Sequence, residues 1–334
     1  MGVSTALVSY VLNNKEKEAR VRKEVADKIR KAAIKLKYQP NLIARSLKSG
    51  KTNTIGLIVA DISNPFFSNI ARVIEDEAKS HGYTVIFGSS DESAEKSKDL
   101  IEALLNRQVD GLIIAPVDDT ENQVKILLKN KIPFVLIERY FPGIDTNRVA
   151  INNYQASYIA VSHLLQNGYK RIGMLGYQTN LFHMQERKRG YLQALKDHKI
   201  RSKKNWFMEA TYQNINEDVA RLLKNLLLPE QQIEALFFST NSLAVQGLKQ
   251  IQTLNIRVPN ELAVISFDET DAFDFFYSPI TYVKQSIPVI GREAVNILLR
   301  EIKQGSKKCT QAEVKVDLIV RESSGVPLNR KVSG

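Results

Sequence analysis

From residue 53 onward the chain alternates two apolar patterns. The first is a short, almost continuous apolar run: TIGLIVADI, TVIFGSS, DGLIIAPV and PFVLIER, then RVAINN, RIGMLGY, ALFFSTN, AVISFDE and ITYVKQS. β-Branched and aromatic residues fill these runs, as they fill parallel strands that are buried on both faces. The second pattern repeats every three to four residues in FFSNIARVIEDEAKSHG, AEKSKDLIEALLNRQ and ENQVKILLKNK, each predicting an amphipathic helix. Gly82 stands where the first of these helices should stop. Strand–helix repetition in two blocks predicts an α/β body of two similar lobes, built on parallel, doubly wound sheets with a cleft between them. Ligands in such sheets bind beyond the carboxyl ends of the strands.

The residues at those ends are polar and aromatic. The first strand runs into DISNPFF, which holds Asn64, Phe66 and Phe67, and the fourth ends at Glu138 and Arg139. Later strands end at Asn241, Asp268 and Gln285, while Arg187 opens the RKRGY turn of a helix. Rings can cover the C–H faces of a sugar, while amides and charged groups bond its hydroxyls, so the set suits a polyhydroxylated ligand. Phe66 and Phe67 serve equally well as core. Arg187 and Asp268 carry the ligand reading further, because charges are seldom buried unless paired or liganded.

Ahead of residue 53 the pattern changes. In STALVSYVLNN, Val8, Val11 and Leu12 make one apolar stripe on a short helix, with Ser4 as its cap and Asn13 and Asn14 at its end. Thr5, Ala6, Ser9 and Tyr10 occupy the opposite face and suit a nucleic-acid groove. A basic loop, KEKEARVRKE, leads to a second helix from about Arg22 to Leu36, with Val25, Ile29, Ala32, Ala33 and Leu36 on one side. Lys28, Arg30, Lys31, Lys35 and Lys37 project elsewhere, towards phosphates. Pro40 ends that helix, and NLIARSL, capped by Asn41, forms a short helix that orders only against a partner. Charge sharpens this contrast. Residues 1–51 hold thirteen Lys/Arg against four Asp/Glu, so +9 of the formal +11 sits in this head and the rest of the chain is nearly neutral. A small basic head on a neutral body points to a polyanion-binding module joined to a second function.

GVSTALVSYVLN, KLKYQPNLIARSLKSGKTNTIGLIVADISNPFF, ERKRGY, ALFFSTNSLAVQGL, AVISFDET, ITYVKQSIPVIG and VDLIVRESSG follow one another from residue 2 to residue 325. Taken together and in that order, they resemble the lactose-repressor (LacI/GalR) family of bacterial transcription regulators, and the body resembles sugar-binding periplasmic proteins. The resemblance implies a partial helix-turn-helix head over 1–40 and a hinge helix and linker over 41–52. It implies a first lobe over 53–153 plus 286–312, a second over 154–285 plus 313–325, and a tail over 326–334. Thr5, Ala6 and Tyr10 fall on its base-reading positions, with Leu7 where the family has threonine. Asn41 and Arg45 lie in its hinge, and Leu47 matches the leucine wedged into the minor groove. Asn64, Phe66, Phe67, Arg139, Arg187, Tyr212, Asn241, Asp268 and Gln285 fall on effector-contacting positions, and Glu138 stands where aspartate is common.

The implied partners are double-stranded operator DNA, a small effector of sugar type, and a second copy of the chain, with a tetramer as the alternative. Family members carry one more helix ahead of GVS, so Met1 is expected to be an internal methionine. A sugar-binding protein, or a short form that senses ligand without DNA, is the rival reading.

No catalytic, metal or cofactor set accompanies these features. His81, His163, His183 and His198 lack metal-ligand spacing and are expected at the surface or at helix ends. SGKT at 49–52 lacks the earlier glycine of a phosphate-binding loop, with Arg45 in its place, and GMLG lacks dinucleotide spacing. Trp206 reads as packing or cleft rim. No run approaches a membrane span and no secretory signal opens the chain, so a cytoplasmic protein is expected, in keeping with the single Cys309.

Overall fold

The computed structural model describes residues 2–12, 15–36, 50–305 and 308–325. Met1–Thr52 and Asn53–Gly334 form separate compact units. In the first, helix α1 (Thr5–Leu12) packs on α2 (Lys23–Lys35) through Val11, Ala26 and Ile29, all buried, with Val8, Leu12 and Val25 around them. The Ser4 hydroxyl accepts from the Leu7 backbone N–H at 3.2 Å, the cap that the sequence predicts. Two expectations for α2 change. Leu36 and Ile34 are each 78% exposed, so the apolar side of the helix is shorter than its periodicity suggests. Arg30 does not point freely outward. Its guanidinium holds Glu16 at 2.5 Å, which fastens the loop between the helices.

The second unit contains two six-stranded sheets. Its elements are β1 (Thr54–Val59), α3 (Pro65–Ser80), β2 (Thr84–Ser89), α4 (Ala94–Asn106), β3 (Gly111–Ile114), α5 (Glu121–Lys129), β4 (Phe134–Ile137) and β5 (Arg148–Ile151). There follow α6 (Asn153–Gln166), β6 (Ile172–Tyr177), α7 (Phe182–Asp197), β7 (Phe207–Ala210), α8 (Ile215–Leu226), β8 (Ala235–Phe238), α9 (Asn241–Thr253) and β9 (Ala263–Phe267). The last are α10 (Ala272–Phe275), β10 (Thr281–Gln285), α11 (Ile287–Gln304), β11 (Gln311–Val314) and β12 (Val316–Ile319).

The first sheet runs β2-β1-β3-β4-β5-β11 with every pair parallel. The second runs β7-β6-β8-β9-β10-β12, parallel except for β12 against β10. The central strands β1, β3, β4, β8 and β9 are buried almost throughout, because helices cover both faces. The chain passes from one sheet to the other after β5, after β10 and after β11. Three connections side by side make a hinge of backbone, about which two lobes can open and close.

In each sheet the strand order reverses around one strand, β1 in the first and β6 in the second. Crevices form at such points, outside the carboxyl ends of the strands. Helices start there. Asn64 caps α3 by accepting from the Phe66 N–H, and Thr240 caps α9 by accepting from the Leu243 N–H. Both caps therefore sit on the walls of one cleft.

Candidate ligand cleft

The deepest part of the cleft is a chamber of about 40 Å³, whose lining includes Phe66, Phe67, Glu92, Glu138, Arg139, His183, Arg187, Tyr212 and Asp268. Arg139 forms a two-pronged pair with Glu92, Nη1 to Oε2 at 2.7 Å and Nη2 to Oε1 at 2.8 Å, and donates Nε to Glu138 at 2.8 Å. Arg187 comes from the other lobe. It donates Nε to Asn153 Oδ1 at 2.8 Å, Nη1 to the Ser239 carbonyl at 2.7 Å and Nη2 to Glu138 Oε1 at 3.3 Å. Its guanidinium carbon lies 3.5 Å from the centre of the Phe267 ring. Glu138 thus joins a first-lobe and a second-lobe arginine. The Asp268 carboxylate accepts from Gln285 Nε2 at 2.7 Å.

Backbone strain aims the acids. Glu138 and Asp268 follow directly on β4 and β9, and each has φ of 64°. Glu92, just past β2, has φ of 56°. Left-handed backbone at residues other than glycine costs about 1–3 kcal/mol and persists where surroundings impose it, often at binding sites.

Burial and pairing set the protonation states. Burial works against the Arg139 charge, but Glu92 and Glu138 outweigh it and hold the guanidinium well above its ordinary value. Arg187 goes the other way, because burial exceeds the pull of Asp268 and Glu138. His183 is held well below its ordinary value by burial and by both arginines, so it is neutral at physiological pH. Its Nδ1 is buried without a hydrogen-bond partner among the described residues. Burial pushes the Asp268 carboxyl up to about 6, against the opposing effects of Arg187 and Gln285. A raised carboxyl favours the fold in its protonated form. Its contribution is therefore complete below the ordinary value of 3.8 and is lost as pH rises through about 6.

Outside the chamber the cleft widens to a cavity of about 510 Å³, within the range of small-molecule sites. Asn64, Tyr212 and Asn241 line it, together with Asp61, Asp91, Glu92 and Tyr177. Asn241 Nδ2 donates to Asn64 Oδ1 at 3.1 Å, bridging the lobes. The Tyr177 and Tyr212 rings stack at 3.9 Å and 18°. This wall can take the flat face of a sugar-like molecule. Among the described residues, no group of His, Cys, Asp and Glu could hold a metal ion, and no helix is long and apolar enough to cross a membrane.

Nine of the ten residues expected around the ligand line one of the two cavities. Gln285 instead stands behind Asp268 and orients it. Phe66 and Phe67 pack into the main core and also line the chamber. His183 meets the helix-end alternative, as the second residue of α7, but it is 3% exposed and lies inside the charge cluster rather than at the surface. Its position four residues before Arg187 puts both on one face of α7, a spacing visible in the sequence. Glu92, Asn153 and Tyr177 also belong to the site and were not foreseen. Trp206 is buried packing, with its ring N–H on the Gln231 carbonyl.

In the head, Thr5, Ala6, Ser9 and Tyr10 are all exposed along one side of α1, opposite buried Val11. Asn41, Arg45 and Leu47 lie outside the described residues.

Comparison with known proteins matches two stretches of the chain. The description "Bacterial regulatory proteins, lacI family" matches residues 1–41, and "Periplasmic binding protein-like domain" matches residues 161–324. The HTH-type transcriptional repressor PurR of Haemophilus influenzae (strain PittEE) is 29% identical over 326 residues, covering 96% of this chain and 95% of its own. The solved structure of transcription regulator GntR from Chromobacterium violaceum is 26% identical, with a TM-score of 0.71 over 81% of this chain and 99% of its own. Transcription regulator CcpA of Lactococcus lactis, at 24% identity, shares the fold with a TM-score of 0.74 over 81% of this chain and 98% of its own.

Proposed function

This chain belongs to the lacI family of bacterial regulatory proteins and is a DNA-binding transcription regulator rather than an enzyme, and from that premise we propose that it is a cytoplasmic, homodimeric repressor controlled by a carbohydrate-type effector in the cleft. Thr5, Ala6, Ser9 and Tyr10 read the major groove of an inverted repeat. Asn41, Arg45 and Leu47 act in the hinge, with Leu47 wedged between base pairs in the minor groove. Two-fold symmetry in the protein matches two half-sites in the DNA.

One observation carries the effector part. Polar pairs that bridge the lobes, Glu138 with Arg187 and Asn64 with Asn241, meet around the chamber. A ligand entering here must exchange these contacts for its own. It therefore has a different affinity for open and closed lobes, the requirement for shifting the equilibrium between them. Lobe closure in turn sets the distance between paired hinges, and so their ability to fold on DNA.

The test is selection of palindromic fragments from random DNA by the full chain, followed by anisotropy titration with and without saccharides. Enrichment of an inverted repeat is expected, with affinity shifted at least tenfold by an active saccharide (about 1.4 kcal/mol). Tyr10→Ala should weaken operator binding by about 1–3 kcal/mol. Saccharide binding with no palindrome enriched would favour a ligand-binding protein and overturn the repressor reading.

A pH dependence follows from Asp268. A ligand hydroxyl that donates to its carboxylate favours the ionised form, so binding expels a proton from the fraction still protonated near pH 6. Affinity is expected to rise with pH through about 6 and level off above it. Calorimetry between pH 5 and 8 measures this slope, which should vanish in Asp268→Asn. A slope of opposite sign would remove Asp268 from the ligand's acceptors.

A further inference from the structure

The charges around the cleft are unequally shared. Five carboxyl groups line its two cavities, Asp61, Asp91, Glu92, Glu138 and Asp268, against two guanidinium groups, Arg139 and Arg187. Both arginines are already engaged. Arg139 gives Nε to Glu138 and its terminal nitrogens to Glu92, and Arg187 uses all three of its nitrogens on Asn153, Ser239 and Glu138. Among the described residues, the wall of the outer cavity contains no lysine, arginine or histidine. There, Asp91 is held by Lys96, whereas Asp61 accepts only from the Ser63 N–H and hydroxyl and has no ion pair among the described residues. His183, which also lines the chamber, is 3% exposed, and its Nδ1 has no hydrogen-bond partner among the described residues.

Among the described residues an anionic ligand would find no free cation here and would face several carboxylates, whose like charge repels it. Hydroxyl groups fit, since ionised carboxylates only accept hydrogen bonds. An ammonium group fits better still, near Asp61 and the stacked Tyr177 and Tyr212 rings, where cation–π attraction adds to charge. Resting on the cleft reading above, we propose that the effector is a hydroxylated molecule without negative charge, and that a protonated amine strengthens its binding: an amino sugar rather than a sugar phosphate or sugar acid.

The test uses the full chain and matched sets of probes: glucose, glucosamine and glucose 6-phosphate, with the corresponding galactose and mannose series, followed by thermal shift and then calorimetry. Within any set that binds, the amine should bind most tightly, and the phosphate should be weaker than the parent by about a hundredfold or more. Glu92→Gln, which leaves Arg139 one acceptor oxygen in place of two and removes a carboxylate, should improve phosphate binding about tenfold or more. Asp61→Asn, at a half-buried position without an ion pair, should erase the advantage of the amine. A phosphate that binds as well as its parent overturns the charge selectivity and leaves the cleft reading standing. Variants that do not alter the ranking also overturn it. Silence from all three series, in wild type and both variants, overturns the cleft reading itself.

Discussion

Arg187→Met is expected to lower the unfolding free energy by about 3–5 kcal/mol and to abolish effector binding. Arg187 is 1% exposed, and the replacement fills nearly the same volume, so the loss is not one of packing. What disappears is a cation that serves four neighbours. The Asn153 amide oxygen, the Ser239 carbonyl and Glu138 each lose a donor, and the Phe267 face loses its guanidinium. Glu138 keeps Arg139 on one oxygen, but Asp268 loses the arginine whose attraction opposes its burial. An unfolding midpoint lower by roughly 10 °C should accompany the change, since each kcal/mol shifts such a body by about 2–4 °C. The double variant Arg187→Met with Asp268→Asn should recover part of the loss, with a coupling of about 0.5–3 kcal/mol, because the second change removes the stranded acid. Unchanged stability in the single variant, or strict additivity in the pair, would show that the cluster is not electrostatically coupled. The wild-type network need not stabilise the fold overall. Desolvation of buried ions offsets their attraction, so what the network secures is the geometry presented to a ligand.

How far the sequence reveals this arrangement depends on the element. β1, β3, β4, β8 and β9 are legible because burial on both faces demands unbroken apolar runs. β7, β11 and β12 are edge strands carrying exposed or half-exposed residues, and FMEA, QAEV and VDLI give no such run. Their places are set by pairing with neighbours rather than by their own composition.

The site divides in the same way. Asp268 stands out because a charge that ends an apolar run needs a partner, whereas Arg187, between Glu186 and Lys188, stands out through the ERKRGY motif and its place on a helix rather than through isolation. Glu92 does not, since it sits in the polar stretch SSDESAE and reads as solvated. Only its left-handed backbone, at φ of 56°, turns it inward to Arg139. Tyr177 ends β6, and its role depends on Tyr212 from the following strand's loop, a contact with no sequence period. In the head, Leu36 follows the helical repeat yet lies exposed, because periodicity states which face an apolar residue shares and not whether another element covers it.

The helix that carries Arg187 and His183 depends on one further residue. Gly190→Ala is expected to destabilise the body by about 3 kcal/mol and to loosen the cleft with it. The usual sign is opposite, because alanine in place of glycine inside a helix gains up to about 1 kcal/mol from the unfolded chain. Here α6 and α7 cross at Gly190, and a Cβ would run into the Tyr154 carbonyl oxygen, with the Tyr158 backbone nitrogen at 3.0 Å and the Ser157 Cβ at 3.1 Å. Two of these three are main-chain atoms of α6, and none can swing aside by changing rotamer. Relief requires the two helices to move apart. Arg187 lies one turn before Gly190, and its contact with Asn153 spans the same pair of helices. A shift of the crossing therefore pulls the guanidinium from Asn153 and from Glu138 on the opposite lobe. Effector affinity should fall at least about tenfold in any variant that still folds, because a displacement of about 1 Å is enough to spoil directed hydrogen bonds. Gly143→Ala supplies the contrast, since nothing lies within 4 Å of a Cβ there, and it should stay within about 0.5 kcal/mol of the parent. Equal stability of the two variants, by urea unfolding monitored through Trp206, would mean that the crossing yields more easily than its main-chain contacts imply.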